Sequence, residues 1–423
     1  MVAIPLEAVN AAENLKVAAE AAAVKIISAF DIHFPLPYRI CVTILAGIWA
    51  WGFMAKLLNS VKIDVSLLIR HSFPKHGAAG LSSARSLHRD IFHFASILSL
   101  FVFGSWVLFA LILLRQYSNN DFDIMQGGNT RVRTIDLVPV STLFLFLASF
   151  FIPGRGFHSA GRRQFLAIMR RISVGGLDAE GRFADVLVSD VLTSYTRVLL
   201  DLGVAVCMFV AGTSCVGKPD RSSCSGPYVT TIVLSIPYVI RFRQCTIDFQ
   251  RTGQTMHIAN CLKYLSSLPV VFFGVLQKMY KGVEGDNGFT EAMAYKLWIF
   301  AAVINSCYSI VWDIKCDWNL ELLNSSPLAY KHGGLRGVLF FRPRIVYYFV
   351  ILLDISFRLL WALKVTTNFR FIGDTESGLF GLELLEILRR SMWMCLRTEK
   401  EWITTHGAGN LPVVEMETFG HSS

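Results

Sequence analysis

Glu386, Arg389 and Arg390 stand in the middle of an apolar run, residues 379–397, that is otherwise suited to a bilayer. An arginine at the centre of a membrane helix costs roughly 2.5–3.5 kcal/mol, so the adjacent pair would nearly cancel the gain from about a dozen aliphatic side chains. These charges must face protein, water or an anion. Glu386 lies one helical turn from both arginines, so one guanidinium can pair with it while the other keeps free donors. Two readings stand for this stretch alone: an anion site, and a helix end whose arginines snorkel to the interface.

Four further segments repeat the conflict. Asp190, Thr193, Ser194 and Arg197 recur at three- and four-residue spacing, which puts an acid, two hydroxyls and a base on one helical face, with Thr196 and Asp201 extending it. Asn260, Lys263 and Tyr264 fall within one turn, and Lys263 offers a point charge to an anion or a carboxylate. Asp313 and Asp317 stand four apart, on one face of a helix end beside Lys315. Such a pair can bind a cation or work as general acid and base. Asp354, Arg358 and Trp361 share another face, the first two at pairing distance. Taken singly, each is a structural ion pair. Taken together, five polar faces must converge on something polar to avoid lipid. Forked guanidiniums with hydroxyls and a few carboxylates bind a small tetrahedral oxyanion: the arginines take its charge, the hydroxyls donate, and a carboxylate accepts from a protonated oxygen.

The elements that must position these residues are membrane helices. The 423 residues are 53% hydrophobic and 17% charged, against about 25% charge in a soluble protein. Apolar runs at 38–58, 91–114, 137–152, 186–211, 228–240, 258–276, 295–312, 338–363 and 378–396 predict an all-α polytopic membrane protein with about eight to ten transmembrane helices. The net charge of +9 does not indicate nucleic acid, because the basic residues cluster between apolar runs as cytoplasmic loops require. The strongest such cluster holds Arg155, Arg162, Arg163, Arg170 and Arg171 without an acid. It predicts a flexible cytosolic loop, and the alternation of basic and mixed connectors puts the C-terminus on the same side. Its glycines at 154, 156 and 161 could form an anion nest, but they do not fit a P-loop or dinucleotide fingerprint. Residues 1–30 read as an amphipathic surface helix and not a signal peptide. The nine cysteines lack CxxC or Cys/His spacing, so neither a metal nor a cofactor is expected. Cys215 and Cys224 share a polar loop and are read either as a lumenal disulfide or as two free thiols. The sequon at Asn324 falls on the expected cytoplasmic side and is read as chance.

At these same residues the chain resembles a known family. The stretches FADVLVSDVLTSYTRVLLDL, IPYVIRFRQCTIDF, HIANCLKYLSS, SCYSIVWDIKCDWNL and LELLEILRRSMWMCLR are similar to the EXS domain, over about Phe151 to Trp402. That family includes eukaryotic phosphate exporters and the fungal ER-retention-defective type, and this chain resembles the short type without an SPX domain. The resemblance implies a phosphate path through Asp190, Thr193, Thr196, Lys263, Tyr264, Asp317, Arg358, Trp361, Glu386, Arg389 and Arg390. Thr193 stands where the family commonly has asparagine. An arginine ahead of Asn260 is also implied, with Arg251 the nearest candidate.

The expected organisation is an N-terminal amphipathic segment (1–35), scaffold transmembrane helices (36–152), an EXS transmembrane domain (153–402) and a cytosolic tail (403–423). The expected function is movement of inorganic phosphate from Golgi lumen to cytosol, supporting glycosylation and retention of Golgi and ER proteins. No enzyme is expected: a membrane transferase on Asp313 and Asp317 would need a donor-binding Asp-x-Asp motif, and neither acid stands in one. The alternative is a sorting receptor that recycles glycosyltransferases through its basic loop and tail. The partners expected are inorganic phosphate, membrane lipid, Golgi glycosyltransferases with their sorting adaptor, and a second copy in a homodimer, but not nucleic acid.

Overall fold

A computed structural model describes residues 29–70, 84–118, 134–152, 159–175, 182–280, 290–322, 333–365 and 375–406. Among the described residues there are helices and turns and no β-strand. Several expectations fall outside them: the surface helix before residue 29, most of the connector 70–89, residues 119–133, Gly154, Arg155 and Gly156, residues 281–289, the Asn324 sequon, residues 366–374 and the tail after 406.

Helix α1 (Leu36–Ser60) opens behind Pro35 and carries Pro37 in its first turn, where a missing N–H costs nothing. It packs along α3 (Ala84–Ser118), with the short α2 (Val65–Arg70) between them in sequence, and α4 (Leu137–Ala148) lies against both. Tyr38, Phe109, Phe146 and Met208 fill this first core. A second core gathers Met54 and Leu58 of α1 with Trp318, Tyr347 and Trp393 from the C-terminal half.

The basic segment expected to be a flexible loop is helical from residue 159: α5 (Ser159–Ser173) buries Ile168 and Ile172 against Ala184. Gly161 is therefore helical and not part of a nest. Arg162 is buried and donates to the carbonyls of Ser149 and Ile152, which satisfies backbone acceptors at the end of α4. The apolar stripe at i, i+4 was enough to fold a segment that its charge alone marks as loop.

The run expected as one span over 186–211 is broken into α6 (Arg182–Ser194) and α7 (Thr196–Val210), bent by 64° at Tyr195. After the single turn α8 (Arg221–Cys224) comes α9 (Pro227–Thr252), which contains Pro237 and ends at Gly253 with φ 66°, a left-handed cap that suits glycine. Helices α10 (Thr255–Leu265) and α11 (Ser267–Met279) continue each other. Helix α12 (Glu291–Trp312) starts on Thr290, whose hydroxyl accepts from the Met293 N–H. It runs on into a π turn, Asp313–Asp317, with Trp318 N–H bonded to Asp313 O. Helix α13 (Ile345–Arg358) leads into a 3-10 turn, Leu360–Lys364, and the last helix is α14 (Glu376–His406).

Five of these helices or helix pairs are long and apolar enough to cross a membrane, and six if α6 and α7 form one bent span. Helices α9 and α14, 26 and 31 residues long, have the length but carry charges, and α4 is short. The expected eight to ten spans included such charged and short segments. The protein is an all-α polytopic membrane protein.

Helix α14 begins beside α8, where Arg221 bonds Glu376, and ends beside the start of α6, where the Arg397 guanidinium lies over the Phe183 ring. The basic helix α5 meets the same start of α6 through Arg171 and Asp185. The disulfide is at the other end of the bent span: Cys207 pairs with Cys224, not Cys215 with Cys224. Cys207 is one turn from the end of α7 and so reaches α8, while Cys215 is a buried thiol whose N–H and sulfur meet Asp136 Oδ1. Burial opposes the charge of Arg221, but its hydrogen bonds to Glu376 and Asp201 outweigh this and raise its pKa above the ordinary arginine value.

Candidate functional site

Ten of the eleven expected site residues line one cavity of about 480 Å³: Asp190, Thr193, Thr196, Lys263, Tyr264, Arg358, Trp361, Glu386, Arg389 and Arg390. They come from the two halves of the bent span, from α10, from the end of α13 and the 3-10 turn after it, and from α14. The eleventh, Asp317, stands behind the wall, where its carboxylate holds Lys263 Nζ at 3.3 Å and accepts from the Trp312 indole.

Breaks in the helices create the cavity. The bend at Tyr195 carries α7 away from the line of α6, and the hydroxyls of Thr193 and Ser194 sit just before it. Trp361 lies past the end of α13, in the 3-10 turn, and is anchored by its indole N–H to Ser306 Oγ at 2.9 Å and edge-on to Trp298. The π turn separates the two acids that helical spacing placed on one face. Asp313 is bonded by Arg358 and by the Trp393 indole, while Asp317 turns to Lys263. Neither forms the acid pair that cation binding or general acid–base work would need, and among the described residues no cluster of His, Cys, Asp or Glu has metal-binding geometry.

The buried cations are neutralised one by one. Arg389, 3% exposed, takes Glu386 through two donors at 2.6 and 2.8 Å and Asp354 at 2.9 Å. Arg358 shares Asp354 at 3.1 Å and binds Asp313. Asp190 receives the Tyr264 hydroxyl and has Arg241 Nε at 2.8 Å, and the Arg241 guanidinium stacks 4.8 Å from the Tyr264 ring. Arg390 is different. Its Nε donates to Ser194 Oγ at 2.8 Å and its NH2 to Thr193 Oγ1 at 3.1 Å, and its guanidinium lies 4.6 Å over the Trp393 ring. Among the described residues no carboxylate lies within 4.0 Å of it, although it is only 9% exposed. Ser194 passes the hydrogen bond on, donating to Glu386 Oε1 at 2.6 Å. A buried guanidinium that makes no direct ion pair and faces a cavity is suited to receive an anion.

Some of the site escaped the sequence. Ahead of Asn260 it is Arg241, 3% exposed, that reaches Asp190, whereas Arg251, the nearest candidate for the implied arginine, is exposed at the end of α9. Arg241 closes an apolar run and opens a basic connector, so charge clustering assigned it to a loop. Its position four residues past Pro237 inside a continuous helix was the missing fact. Arg197 was expected to neutralise Asp190 in the structural reading of that face, but beyond the bend it meets Asp201 at 3.3 Å instead. Tyr238, Asn305 and Ser306 also line the cavity, as does Glu383. Tyr238 and Asn305 lie inside apolar runs without a charge to mark them.

Comparison with known proteins adds a family. The model of the EXS family matches residues 34–403, which takes in the helices before residue 151 as well. Protein ERD1 homolog 1 of Schizosaccharomyces pombe is 26% identical over 377 residues, covering 88% of this chain and 92% of its own. SPX and EXS domain-containing protein 1 of Dictyostelium discoideum is 23% identical, and the matched part is 37% of its length. Human solute carrier family 53 member 1 is 29% identical over 282 residues, 63% of this chain and 39% of its own.

Proposed function

The chain belongs to the EXS family, and on that premise we propose that it is a phosphate transporter of the Golgi membrane. Phosphate liberated in the lumen by glycosyl transfer passes through the cavity to the cytosol. Loss of this route disturbs glycosylation and the retention of Golgi and ER proteins. The protein acts as a carrier or channel and not as an enzyme.

The observation that carries the reading is Arg390, a buried guanidinium without a carboxylate partner in the cavity wall. Phosphate would meet it together with the Thr193 and Ser194 hydroxyls that already accept from it, and a protonated phosphate oxygen would donate to Glu386, whose side chain is 34% exposed. Arg389 and Arg358, each held by carboxylates, shape the wall and keep the local potential balanced. Trp361 narrows the passage. The name of the human relative, a solute carrier, supports transport. The orientation of the path, with one end to the cytosol and the other to the lumen, is supported by chemistry at the two ends of the bent span: the basic helix α5 and the end of α14 suit the cytosolic face, and the Cys207–Cys224 disulfide suits an oxidising lumen. Helices 36–152 serve as scaffold, since every residue of the cavity wall falls between Asp190 and Arg390.

The test is labelled-phosphate flux in proteoliposomes. Arg390→Ala should lower flux by about tenfold or more, as expected for loss of a charge-assisted contact to the anion, with Arg390→Lys intermediate because a point charge replaces a fork. Unchanged flux in Arg390→Ala would sink this site.

A further inference from the structure

Arg197 lines the same cavity, on the far side of the bend from Thr193. Its Nε is buried and makes no hydrogen bond, although Asp201 Oδ1 lies 3.3 Å away and Glu383 Oε1 3.8 Å away. Asp201 is already engaged by Arg221, at 2.7 and 3.3 Å. Arg221 in turn binds Glu376, which also takes Arg39, which binds Asp31 at 2.6 Å. The charges thus form a chain, Asp31, Arg39, Glu376, Arg221, Asp201, Arg197, Glu383, alternating in sign with an acid at each end. The link between Arg197 and Glu383 is its longest. Glu383 is the surplus carboxylate, and it too lines the cavity.

We infer that Arg197 is a second anion station, separate from Arg390, and that Glu383 is a tethered counter-charge which an incoming phosphate displaces. The inference rests on the reading of the cavity as a phosphate path and adds a specificity-determining pair to it. A guanidinium that lines a polar cavity, and whose nearest cavity-lining carboxylate stands at 3.8 Å, can take a tetrahedral oxyanion through its fork. The carboxylate, close enough to neutralise it and too far to hydrogen-bond, compensates the charge when phosphate is elsewhere and keeps the station weak. Conduction needs such a balance, because an anion must leave each site as readily as it enters.

The two partners then have opposite effects on phosphate. In proteoliposome flux measured against inorganic phosphate concentration, Glu383→Gln should lower the half-saturating concentration about fivefold, since the competitor is gone while shape is kept. Arg197→Ala should raise it about tenfold, the factor that corresponds to ~1.4 kcal/mol, and Arg197→Lys should fall between Arg197→Ala and wild type. A pair that only ties α7 to α14 would impair both variants in the same direction, and that result, or no shift in either, overturns the station. Glu383→Gln is isosteric and so keeps the test valid if Arg197→Ala does not fold. Arg390→Ala measured in parallel separates the two readings: opposite shifts at Arg197 and Glu383 with an unaffected Arg390→Ala would overturn the primary site and leave this one standing. Wild-type protein without phosphate flux overturns both.

Discussion

At the scale of single residues, the site is a set of buried charges whose partners were only partly visible in one dimension. Spacing along one helix paired Glu386 with Arg389, and Asp354 with Arg358, because those contacts are i,i+3 and i,i+4. The contacts that close the site join residues far apart in sequence: Arg389 to Asp354, Arg358 to Asp313, Asp190 to Arg241. The first and the last are the most consequential for stability, since all four members are 3% exposed. Removing one member of a buried pair leaves the other uncompensated, at a cost of about 3–5 kcal/mol. Arg241→Gln and Asp190→Asn should each lower thermal stability in detergent by an amount of that order, and the double variant Asp190→Asn/Arg241→Gln should lose less than their sum. Additive losses would show that the two side chains are stabilised independently.

At the scale of elements, function depends on where helices fail to be straight. The bend at Tyr195 is braced from α1, where Gly47 leaves room for the tyrosine: a Cβ at position 47 would stand 1.8 Å from the Tyr195 hydroxyl oxygen. Overpacking of this kind costs about 1–3 kcal/mol and is relieved by moving the side chain. Gly47→Leu should therefore reduce phosphate flux, because Tyr195 adjoins the Ser194 and Thr196 of the cavity wall, and Tyr195→Ala should restore part of it in the double variant. No recovery in the double variant would assign the loss to α1 itself. Hydropathy could not show the bend: the residues from Val186 to Ala211 are apolar enough for one straight span, and no proline or glycine marks the break. The π turn at Asp313 was equally silent, whereas the long helices α1, α3 and α12 were legible because an apolar run of their length has few other folds.

At the scale of the whole molecule, the two ends of the bundle differ in chemistry, with arginines around α5 at one end and a disulfide at the other. In sealed vesicles, a membrane-impermeant maleimide should label Cys224 only after reduction and, on the orientation proposed above, only from the lumenal side. Cys215→Ala should change neither result, because that thiol is buried beside Asp136. Labelling of Cys224 in the unreduced wild type would refute the pairing, and labelling from the cytosolic side would refute the orientation. Bridging a 17-residue separation, the disulfide should contribute about 3 kcal/mol on a chain-entropy estimate.

Composition and apolar run length determined the all-α membrane architecture, the intolerance of lipid for charge made the polar faces conspicuous, and the resemblance to the EXS domain narrowed them to eleven residues, ten of which line one cavity. That inference works because a bilayer penalises each misplaced charge locally, so its logic can be read one helix at a time. The tertiary structure alone decided which charges neutralise which, that Arg241 and not Arg251 reaches Asp190, that Cys207 and not Cys215 meets Cys224, and that Arg390 is left over. Those outcomes depend on distances between separate helices and on the bends that set them, and neither is encoded in the spacing along a single strand of sequence.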